Sequence, residues 1–395
     1  MAPQRHLPKL CGALLGVALA TASAISINDA AVAAPIGAAS NICFESGAPE
    51  GAGVVLNGTA ARASGSGFLN FYRPGESAGI NENSSLNFTS DANIANTVVT
   101  PVGDGGEVCV YSSAQTDILA DVAGFISPTR LFTFALASGD PQTFRVFDSR
   151  ENTVDRSASK FTGGEHFCIS PVGTADVGDA WFMNVTAVAA ESRGFVNVYP
   201  KGVSAAADAA AAVANSAVNF VPGRNIANGV TVTVGVDREV CMSPSATTHI
   251  LLDLIAAVDV TSFRSANADN TAKRVLDTRD TGTLAAESTI CVDTEAALGE
   301  AVVVNGTAVR SSERGFLNIF SAGAADPAEN SSINFRPDAN IANGVIIAAG
   351  TEGQICVFAN QRTDVVLDIA GYLTEGAFIP INADGSANRV LDTRD

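Results

Sequence analysis

Short segments with alternating apolar and polar positions run through the whole chain. In TDVVLDIAGYL, Val365, Leu367 and Ile369 share one face of an extended strand, while two aspartates fall on the opposite face. Comparable segments, among them AVVVNGTAV, GFLNIF and NGVIIAAG, are separated by Gly, Asn and Pro, which favour turns. The pattern predicts many short β-strands and very little helix. The best helix candidate is the Ala-rich stretch 204–216, for which a disordered loop is the alternative.

These segments recur three times in the same order. VVLNGTAARASGSGFLNFYRPG begins at Val54, WFMNVTAVAAESRGFVNVYPKG at Trp181 and VVVNGTAVRSSERGFLNIFSAG at Val302. An Asn-rich segment of the type NSSLNF…NIAN follows each of them, then a strand containing Cys, then a strand of the TDVVLDIAGYL type. Repeats of about 110–130 residues are domain-sized. We therefore predict an all-β protein of three tandem antiparallel β-sandwich domains, jelly-roll-like, with about eight or nine strands each.

The first 33 residues are predicted to be a secretory signal peptide. Arg5 and Lys9 precede the apolar run LCGALLGVALATASAI, and AVAAP supplies small residues for cleavage. A retained anchor helix is the alternative, although the run is short for a membrane span. The predicted divisions are a signal peptide at 1–33 and repeats at 34–151, 152–280 (with the insertion 204–216) and 281–395. We expect a secreted or cell-surface protein without a membrane span after signal removal.

Six cysteines follow the predicted signal peptide, two in each repeat and in matching sequence contexts. Their even number in an exported chain predicts one disulfide within each repeat. The predicted pairs are Cys43–Cys109, Cys168–Cys241 and Cys291–Cys356. A zinc site is the weaker alternative, because the chain has no C-x-x-C pair and only His166 and His249 follow the signal peptide.

The chain is strongly acidic, with a net charge of −18. Without residues 1–33, the basic residues fall from 23 to 21 and the acidic residues from 41 to 40, which leaves −19. Such a surface repels nucleic acid and anionic lipid head groups, so we expect no nucleic-acid partner. Cations and neutral sugars remain compatible with it.

Several motifs recur in fixed order and resemble a repeat that is common in secreted proteins of actinobacteria and some related bacteria. The matching residues are Leu276–Arg279 and Leu391–Arg394 (LDTR), Asn305–Thr307, Gly315–Phe320, Ile333–Phe335, Ala342–Asn343 and Asp368–Tyr372. The resemblance covers essentially the whole chain after the signal peptide. It implies an extracellular or cell-surface β domain of an accessory kind. The middle repeat departs most, because LIAAV at Leu254–Val258 replaces the Ala-Gly-aromatic ending.

The motif RVLDTRD occurs at Arg274–Asp280 and Arg389–Asp395, and its variant RVFDSRE at Arg145–Glu151. In an extended strand, the Asp and the second Arg of each copy share a face. One hypothesis is structural: the two side chains form an ion pair or bond to backbone groups. The other hypothesis makes them part of a sugar or cation site. The candidate ligand-binding residues are Asp148, Arg150, Asp277, Arg279, Asp392 and Arg394, with Asp121, Asp253 and Asp368 expected on the outward face of a neighbouring strand.

We expect each copy of this motif to close the repeat that it follows. In the alternative, the motif opens the next repeat, and the final copy is then an unpaired edge strand. An unpaired edge can add to a sheet of another chain. Self-association through the terminal LDTRD strand, or a truncated array, would follow from that alternative.

We do not expect an enzyme, because the chain has no G-x-S-x-G, H-E-x-x-H or Walker motif. The leading hypothesis is a non-catalytic, adhesive module that binds a glycan or cell-wall polymer, with three copies adding avidity. The low aromatic content of 6% counts against a stacked-ring sugar platform. The alternatives are a self-associating scaffold of stacked β domains and, less favoured, a carboxylate-based glycoside hydrolase.

No cofactor is expected, and calcium is the one candidate ion. Oxygen-rich side chains gather before the motif in NADNTAKRVLDTRD (Asn267–Asp280) and NADGSANRVLDTRD (Asn382–Asp395). These stretches lack the spacing of an EF-hand loop, so a solvated acidic turn is the alternative.

Overall fold

The fold is that of a computed structural model, which describes residues 34–394 except 77–79, 82, 134–142, 154, 171–174, 325–327, 329 and 338. The predicted signal peptide lies outside the described residues. The described chain is all-β, with 52% strand and 7% helix, as the alternating pattern predicted. No helix within the described residues has the length and apolar character needed to cross a membrane.

The three repeats contribute matching sets of seven strands. Repeat 1 has β1 (Ser40–Glu45), β2 (Gly53–Ala61), β3 (Gly67–Tyr72), β4 (Leu86–Phe88), β5 (Ile94–Pro101), β6 (Glu107–Ser112) and β7 (Asp117–Ile126). Two strands follow, β8 (Leu131–Thr133) and β9 (Phe144–Asp148). Repeat 2 has β10 (Phe167–Ile169), β11 (Ala180–Val188), β12 (Gly194–Pro200), α1 (Ala205–Ala214), β13 (Val218–Phe220), β14 (Ile226–Thr233), β15 (Val240–Pro244) and β16 (His249–Val258). It is followed by β17 (Phe263–Ser265), β18 (Lys273–Asp277) and α2 (Thr278–Thr281).

Repeat 3 has β19 (Ser288–Asp293), β20 (Ala301–Val309), β21 (Gly315–Ser321), β22 (Ile333–Phe335), β23 (Ile341–Ala348), β24 (Gln354–Ala359) and β25 (Asp364–Leu373). The last two strands are β26 (Phe378–Pro380) and β27 (Asn388–Asp392). Short 3-10 turns lie at Asp104–Gly106, Val236–Arg238 and Thr351–Gly353. We call β8/β9, β17/β18 and β26/β27 the linker pairs; the second strand of each carries the RVLDTRD-type motif.

Each repeat takes part in two antiparallel sheets. The four-stranded sheets have the orders β1-β6-β3-β4, β10-β15-β12-β13 and β19-β24-β21-β22. The five-stranded sheets have the orders β26-β7-β2-β5, β8-β16-β11-β14 and β17-β25-β20-β23. The second strand of each linker pair, β27, β9 or β18, joins the same strand as the first one, which is β7, β16 or β25. The result is six small sheets in a propeller-like ring rather than three clearly separate sandwiches.

The linker pairs pass from one repeat to the next. The pair β8/β9 pairs with β16 of repeat 2, and β17/β18 pairs with β25 of repeat 3. The terminal pair β26/β27 returns to β7 of repeat 1 and closes the ring. The expectation that each motif closes the repeat it follows is therefore wrong: β7, β16 and β25 share one sequence pattern, and each accepts the linker pair of the preceding repeat. The terminal strand β27 is therefore paired with β7 of repeat 1 and is not the unpaired strand of the alternative.

Apolar residues form one core cluster per repeat and a fourth at the centre. In repeat 1, Leu56 of the five-stranded sheet and Phe71 of the four-stranded sheet are buried together with Leu391 of the terminal strand. On the other face of β2, Val55 packs in the central cluster with Phe182 and Val303, its counterparts in β11 and β20. Both faces of the five-stranded sheets are thus covered, one by the sister sheet and one by the neighbouring repeats.

The Ala-rich insertion forms a helix, as predicted. Helix α1 begins after Ser204, whose hydroxyl oxygen accepts a hydrogen bond from the Ala207 amide at 3.3 Å. Ala211 and Ala212 pack on Tyr199 and Cys241 of the four-stranded sheet. The other two repeats have no helix at this position among their described residues.

Candidate functional site

The first arginine of each motif copy reaches a buried aspartate of the next repeat. Its Nε and Nη2 donate to the two carboxylate oxygens, at 2.8 and 3.2 Å for Arg145–Asp253, 2.8 and 3.1 Å for Arg274–Asp368, and 2.7 and 3.1 Å for Arg389–Asp121. This is the bidentate geometry that fixes a guanidinium against a carboxylate. The sequence reasoning missed these arginines, although an arginine opens all three copies.

The three aspartates are buried, with 1–4% of their surface exposed. The outward, solvated face expected for them is therefore wrong, because the neighbouring repeat covers that face of the five-stranded sheet. Burial raises the pKa of Asp253 and of Asp368, and the paired guanidinium opposes that rise. The same arginines extend to the preceding repeat, where the Arg145 Nη2 donates to Asn83 at 3.4 Å. The Arg–Asp pairs consequently mark the junctions between repeats.

The aspartate and second arginine of each motif pair with each other, as the structural hypothesis expected, but not from one face of a strand. Strand β18 ends at Asp277, whose carboxylate accepts a hydrogen bond from the Arg279 amide at 3.2 Å and so begins a helical turn. The Arg279 guanidinium then folds back onto the same carboxylate. Hydrogen bonding from this guanidinium lowers the pKa of Asp277. The pairs Asp148–Arg150 and Asp392–Arg394 repeat the arrangement, with Nε to Oδ1 distances of 2.8 Å.

The hydroxyl residue of the motif attaches it to the start of the accepting strand. Thr393 Oγ1 accepts a hydrogen bond from the Ile118 amide at 2.9 Å, and Thr278 Oγ1 accepts one from Val365 at 2.8 Å. Both threonines are only 1% exposed. Both arginines, the first aspartate and the hydroxyl residue of the motif are thus held by contacts within the chain.

Asparagines join the repeats at the centre of the ring, where β5, β14 and β23 contact one another. The side-chain oxygen of one repeat accepts a backbone amide of the next: Gly229 donates to Asn96 at 2.9 Å, Gly344 to Asn228 at 3.0 Å and Thr97 to Asn343 at 2.8 Å. These three bonds form a closed cycle. The strands approach so closely that a Cβ on Gly229 would lie 2.3 Å from the Thr97 carbonyl oxygen, so only glycine fits there.

A second set of asparagines, from the N-[GV]-T motif, makes a parallel cycle. Asn57 Nδ2 donates to the Ser331 carbonyl at 2.6 Å, and Asn305 Nδ2 donates to the Ser216 carbonyl at 2.8 Å. Asn184 donates to the Ser84 carbonyl in the same way. The recurring Asn motifs of the sequence are therefore the contacts between repeats, a role that sequence reasoning did not assign to them.

The three predicted disulfides are present, and each joins two neighbouring strands of a four-stranded sheet. Cys43 lies opposite Cys109 between β1 and β6, and the other two pairs occupy the equivalent register positions. They fix the outer sheets rather than the junctions.

The oxygen-rich turns before the motif are stabilised by hydrogen bonds within each turn. Asp384 Oδ1 accepts hydrogen bonds from the Ser386 amide and hydroxyl at 2.9 and 2.7 Å, and Asp269 does the same with Thr271. Across the described ranges, no group of three or more His, Cys, Asp and Glu side chains is arranged to hold a metal ion.

Arginines gather at one end of the ring's centre: Arg224 and Arg336 lie in the loops that precede β14 and β23, and Arg193 and Arg314 directly precede β12 and β21. Arg224 clasps Asp91 with Nη2–Oδ2 and Nη1–Oδ1 distances of 2.6 and 3.1 Å, and Arg336 approaches the same carboxylate at 3.5 Å. Arg314 donates to the Asp91 carbonyl. Burial, together with the charges of Arg224, Arg314 and Arg193, lowers the pKa of Arg336. We call Arg193, Arg224, Arg314 and Arg336 the arginine cluster.

A groove of about 570 Å³ adjoins the arginine cluster between repeats 2 and 3. Its polar lining consists of Arg193, Asn219, Arg310, Ser311, Ser312 and Asn340. Such side chains suit an oxygen-rich, negatively charged ligand, because guanidinium groups bind carboxylates and phosphates with fixed geometry. Sequence reasoning missed this surface, since its arginines are scattered along an acidic chain.

No protein-family model matches the chain, and no curated protein matches it. Among solved structures, the crystal structure of the STIV MCP is 8% identical with a TM-score of 0.22, over 62% of this chain and 96% of that one. A triple jelly roll structure from an archaeal virus is 10% identical with a TM-score of 0.21, over 87% and 85%. The tandem CBM22-1–CBM22-2 domain of Paenibacillus barcinonensis Xyn10C is 10% identical with a TM-score of 0.18, over 63% and 94%. At TM-scores this low, these likenesses carry no argument about function.

Proposed function

We propose that this chain is a non-catalytic extracellular protein that binds an acidic glycan or cell-wall polymer through the arginine cluster. The observation that carries the proposal is the gathering of four arginines from repeats 2 and 3 beside an open polar groove. The chain as a whole has a net charge of −18, so this concentration of positive charge is local. At physiological salt, charges act over about 8 Å, so the cluster rather than the net charge governs a ligand held there.

Two further features support the extracellular and non-catalytic parts of the proposal. Three disulfides persist in oxidising compartments and are rare in reducing ones. The buried aspartates of the junctions are held in bidentate pairs with arginine, whereas a glycoside hydrolase needs two carboxyl groups facing each other across a substrate cleft. The motif aspartates and arginines serve the contacts between repeats, whereas the arginine cluster lies beside the groove, with Arg193 in the groove lining.

The test is retention of residues 34–395 on insoluble polymers of different charge. We expect saturable retention on cross-linked polygalacturonate and on bacterial cell walls, weak retention on cellulose, and release by salt or by soluble polygalacturonate. The double variant Arg193→Gln/Arg314→Gln should bind at least about tenfold more weakly, since two charge-assisted contacts are lost. A phosphate-rich wall polymer in a parallel arm separates carboxylate from phosphate recognition.

The matched control is Arg130→Gln/Arg238→Gln, which removes the same charge at the opposite end of the ring and should bind normally. Equal loss in both double variants would mean that net charge, not the cluster, is responsible. Retention that requires calcium and disappears with a chelator would assign binding to the acidic turns. Absence of retention on every polymer would overturn the proposal, and concentration-dependent self-association in sedimentation experiments would then support a scaffold.

A further inference from the structure

The hydroxyl residue of each motif copy makes two contacts with the strand that accepts the motif. Its oxygen accepts the amide of the second residue of that strand. The same hydroxyl group also contacts the side chain of the first residue. In repeats 1 and 3 this residue is an aspartate: Thr393 Oγ1 donates to Asp117 Oδ1 at 3.2 Å, and Thr278 Oγ1 donates to Asp364 Oδ1 at 3.3 Å. These contacts attach the motif to β7 and to β25.

Repeat 2 has a histidine at the start of its accepting strand. Ser149 Oγ accepts the Ile250 amide at 3.0 Å and lies 2.9 Å from His249 Nδ1. Ser149 is only 1% exposed. Because its oxygen already accepts the amide, its single hydrogen is available for Nδ1, which must be unprotonated to accept it. The attachment of the first motif copy to β16 therefore uses a neutral imidazole in place of a carboxylate.

The arginine that pairs with the aspartate in repeats 1 and 3 is also replaced in repeat 2. Arg62 Nε lies 2.6 Å from Asp117 Oδ2, and Arg310 Nε lies 2.8 Å from Asp364 Oδ2. The equivalent residue of repeat 2 is Ala189, and its φ of 52° matches the 50° and 54° of the two arginines. The backbone is thus the same in the three repeats, and repeat 2 differs by an exchange of two side chains.

The charged side chains around His249 are mainly basic. Burial lowers the pKa of His249, the charges of Lys160, Arg150 and Arg156 lower it further, and Asp148 opposes the shift. A histidine with a lowered pKa in the folded state contributes stability that is full above its ordinary pKa of about 6.5 and is lost as the pH falls below that value. The carboxylates paired with Arg150, Arg156 and Lys160 are those of Asp148, Glu165 and Glu191, respectively.

We propose that the Ser149–His249 contact makes the junction between repeats 1 and 2 sensitive to acid, so that the motif loosens from β16 at mildly acidic pH while the other two junctions stay closed. An imidazolium donates at both nitrogens, so a protonated His249 cannot accept the Ser149 hydroxyl and leaves it without a partner. A carboxyl group keeps an acceptor oxygen in either protonation state, so the equivalent contacts of repeats 1 and 3 lack this response. The response does not depend on polymer binding at the arginine cluster.

Amide hydrogen exchange of residues 34–395 at about pH 7.5 and about pH 5.5, on either side of the ordinary histidine pKa, tests the proposal. Protection factors remove the pH dependence of intrinsic exchange. Between the two pH values, protection of residues 145–151 should fall about two- to tenfold, the range of one neutral hydrogen bond. The equivalent segments 274–280 and 389–394 should keep their protection and serve as the internal control.

Glu76 requires a control because it titrates in the same range beside the same linker pair. Burial raises its pKa to about 7, and its carboxylate accepts the Thr143 amide at 3.3 Å just before β9. Variants that keep Glu76 therefore isolate His249. Ala189→Arg/His249→Asp transfers the side chains of the other repeats, and His249→Asn keeps a neutral acceptor at every pH. Both should abolish the fall in protection.

Proton NMR gives an independent readout. The imidazole signal of His249, identified by its absence in His249→Asn, should titrate at a lower pH than histidine in the urea-unfolded chain. Ser149→Ala should raise that titration point, because the neutral imidazole loses its donor. The proposal is overturned if protection around Ser149 does not fall, if it falls equally in all three motif segments, or if the fall survives in His249→Asn. Titration of His249 at or above the pH of the unfolded chain would also overturn it.

Discussion

The cycle of asparagines at the centre predicts that a destabilising substitution in one repeat also lowers the stability of the other repeats. Asn343 is fully buried; its oxygen accepts the Thr97 amide, and its Nδ2 donates to the Ser332 carbonyl at 2.6 Å and to Asn57 at 3.2 Å. Asn343→Ala removes three hydrogen bonds worth about 1 kcal/mol each and leaves a buried amide and carbonyl unpaired. We expect the free energy of unfolding to fall by about 3–5 kcal/mol, a large part of the stability of a typical domain.

The fluorescence of the single tryptophan reports the unfolding of a repeat other than the one that carries the substitution. Trp181 is fully buried in repeat 2, whereas Asn343 belongs to repeat 3 and bonds to repeat 1. In guanidinium denaturation, the midpoint from Trp181 fluorescence should drop together with the midpoint from circular dichroism. The control is Asn334→Ala, which removes one long hydrogen bond to Ser331 at 3.4 Å and should cost less than about 0.5 kcal/mol. A Trp181 transition unaffected by Asn343→Ala would refute the coupling and show that the repeats unfold independently.

Three further predictions concern ring closure, pH and the junctions. A circular permutant that places residues 375–395 in front of residues 34–374 should keep the circular dichroism spectrum and the melting temperature. In the permutant, nine residues connect β27 to β1, close to the ten that connect β18 to β19 in the unchanged chain. Loss of folding would argue against closure of the ring by the terminal strands. Burial raises the pKa of Glu76 from 4.5 to about 7, so the folded state binds this proton more tightly than the unfolded state does. The contribution of Glu76 to stability is therefore full below about pH 4.5 and is lost as the pH rises to about 7. In chemical denaturation, the loss of stability between these two pH values should be smaller in Glu76→Gln than in the unchanged protein. Arg274→Met leaves the buried carboxylate of Asp368 unpaired and should lower the free energy of unfolding by about 2 kcal/mol, a figure reduced for the partial exposure of the arginine. In thermal melts, Arg274→Met/Asp368→Leu should recover most of that lost stability. A double variant no more stable than Arg274→Met would contradict this reasoning.

The alternating pattern and the repeats allowed the local structure to be predicted well. TDVVLDIAGYL is β25 almost to the residue, the insertion is a helix, and the cysteines pair within each repeat. These features depend on neighbours in sequence or on matched positions within one repeat, and that information is present in a single chain.

The arrangement of the repeats could not be predicted in the same way. Strands β7, β16 and β25 share one pattern, which gives no indication of which linker pair each receives, and so the sequence alone predicts the wrong repeat for the motif. Asp368 is expected on the outward face of its strand because polar residues usually face water, and the sequence indicates no role for Asn343 between repeats. Here they face another repeat, whose polar groups satisfy them, and only the assembled ring reveals that surface.

Because the terminal strand closes the ring, the first repeat can complete its sheet only after the end of the chain has been synthesised. Thr393 bonds to Asp117 across 276 residues of chain. At a synthesis rate of about 5–20 residues per second, β7 emerges roughly 15–50 s before the strand that covers its edge. During that interval the first repeat presents an open sheet edge, the feature that most readily recruits other strands. Folding that is delayed until β27 is available would keep that edge from pairing with another strand.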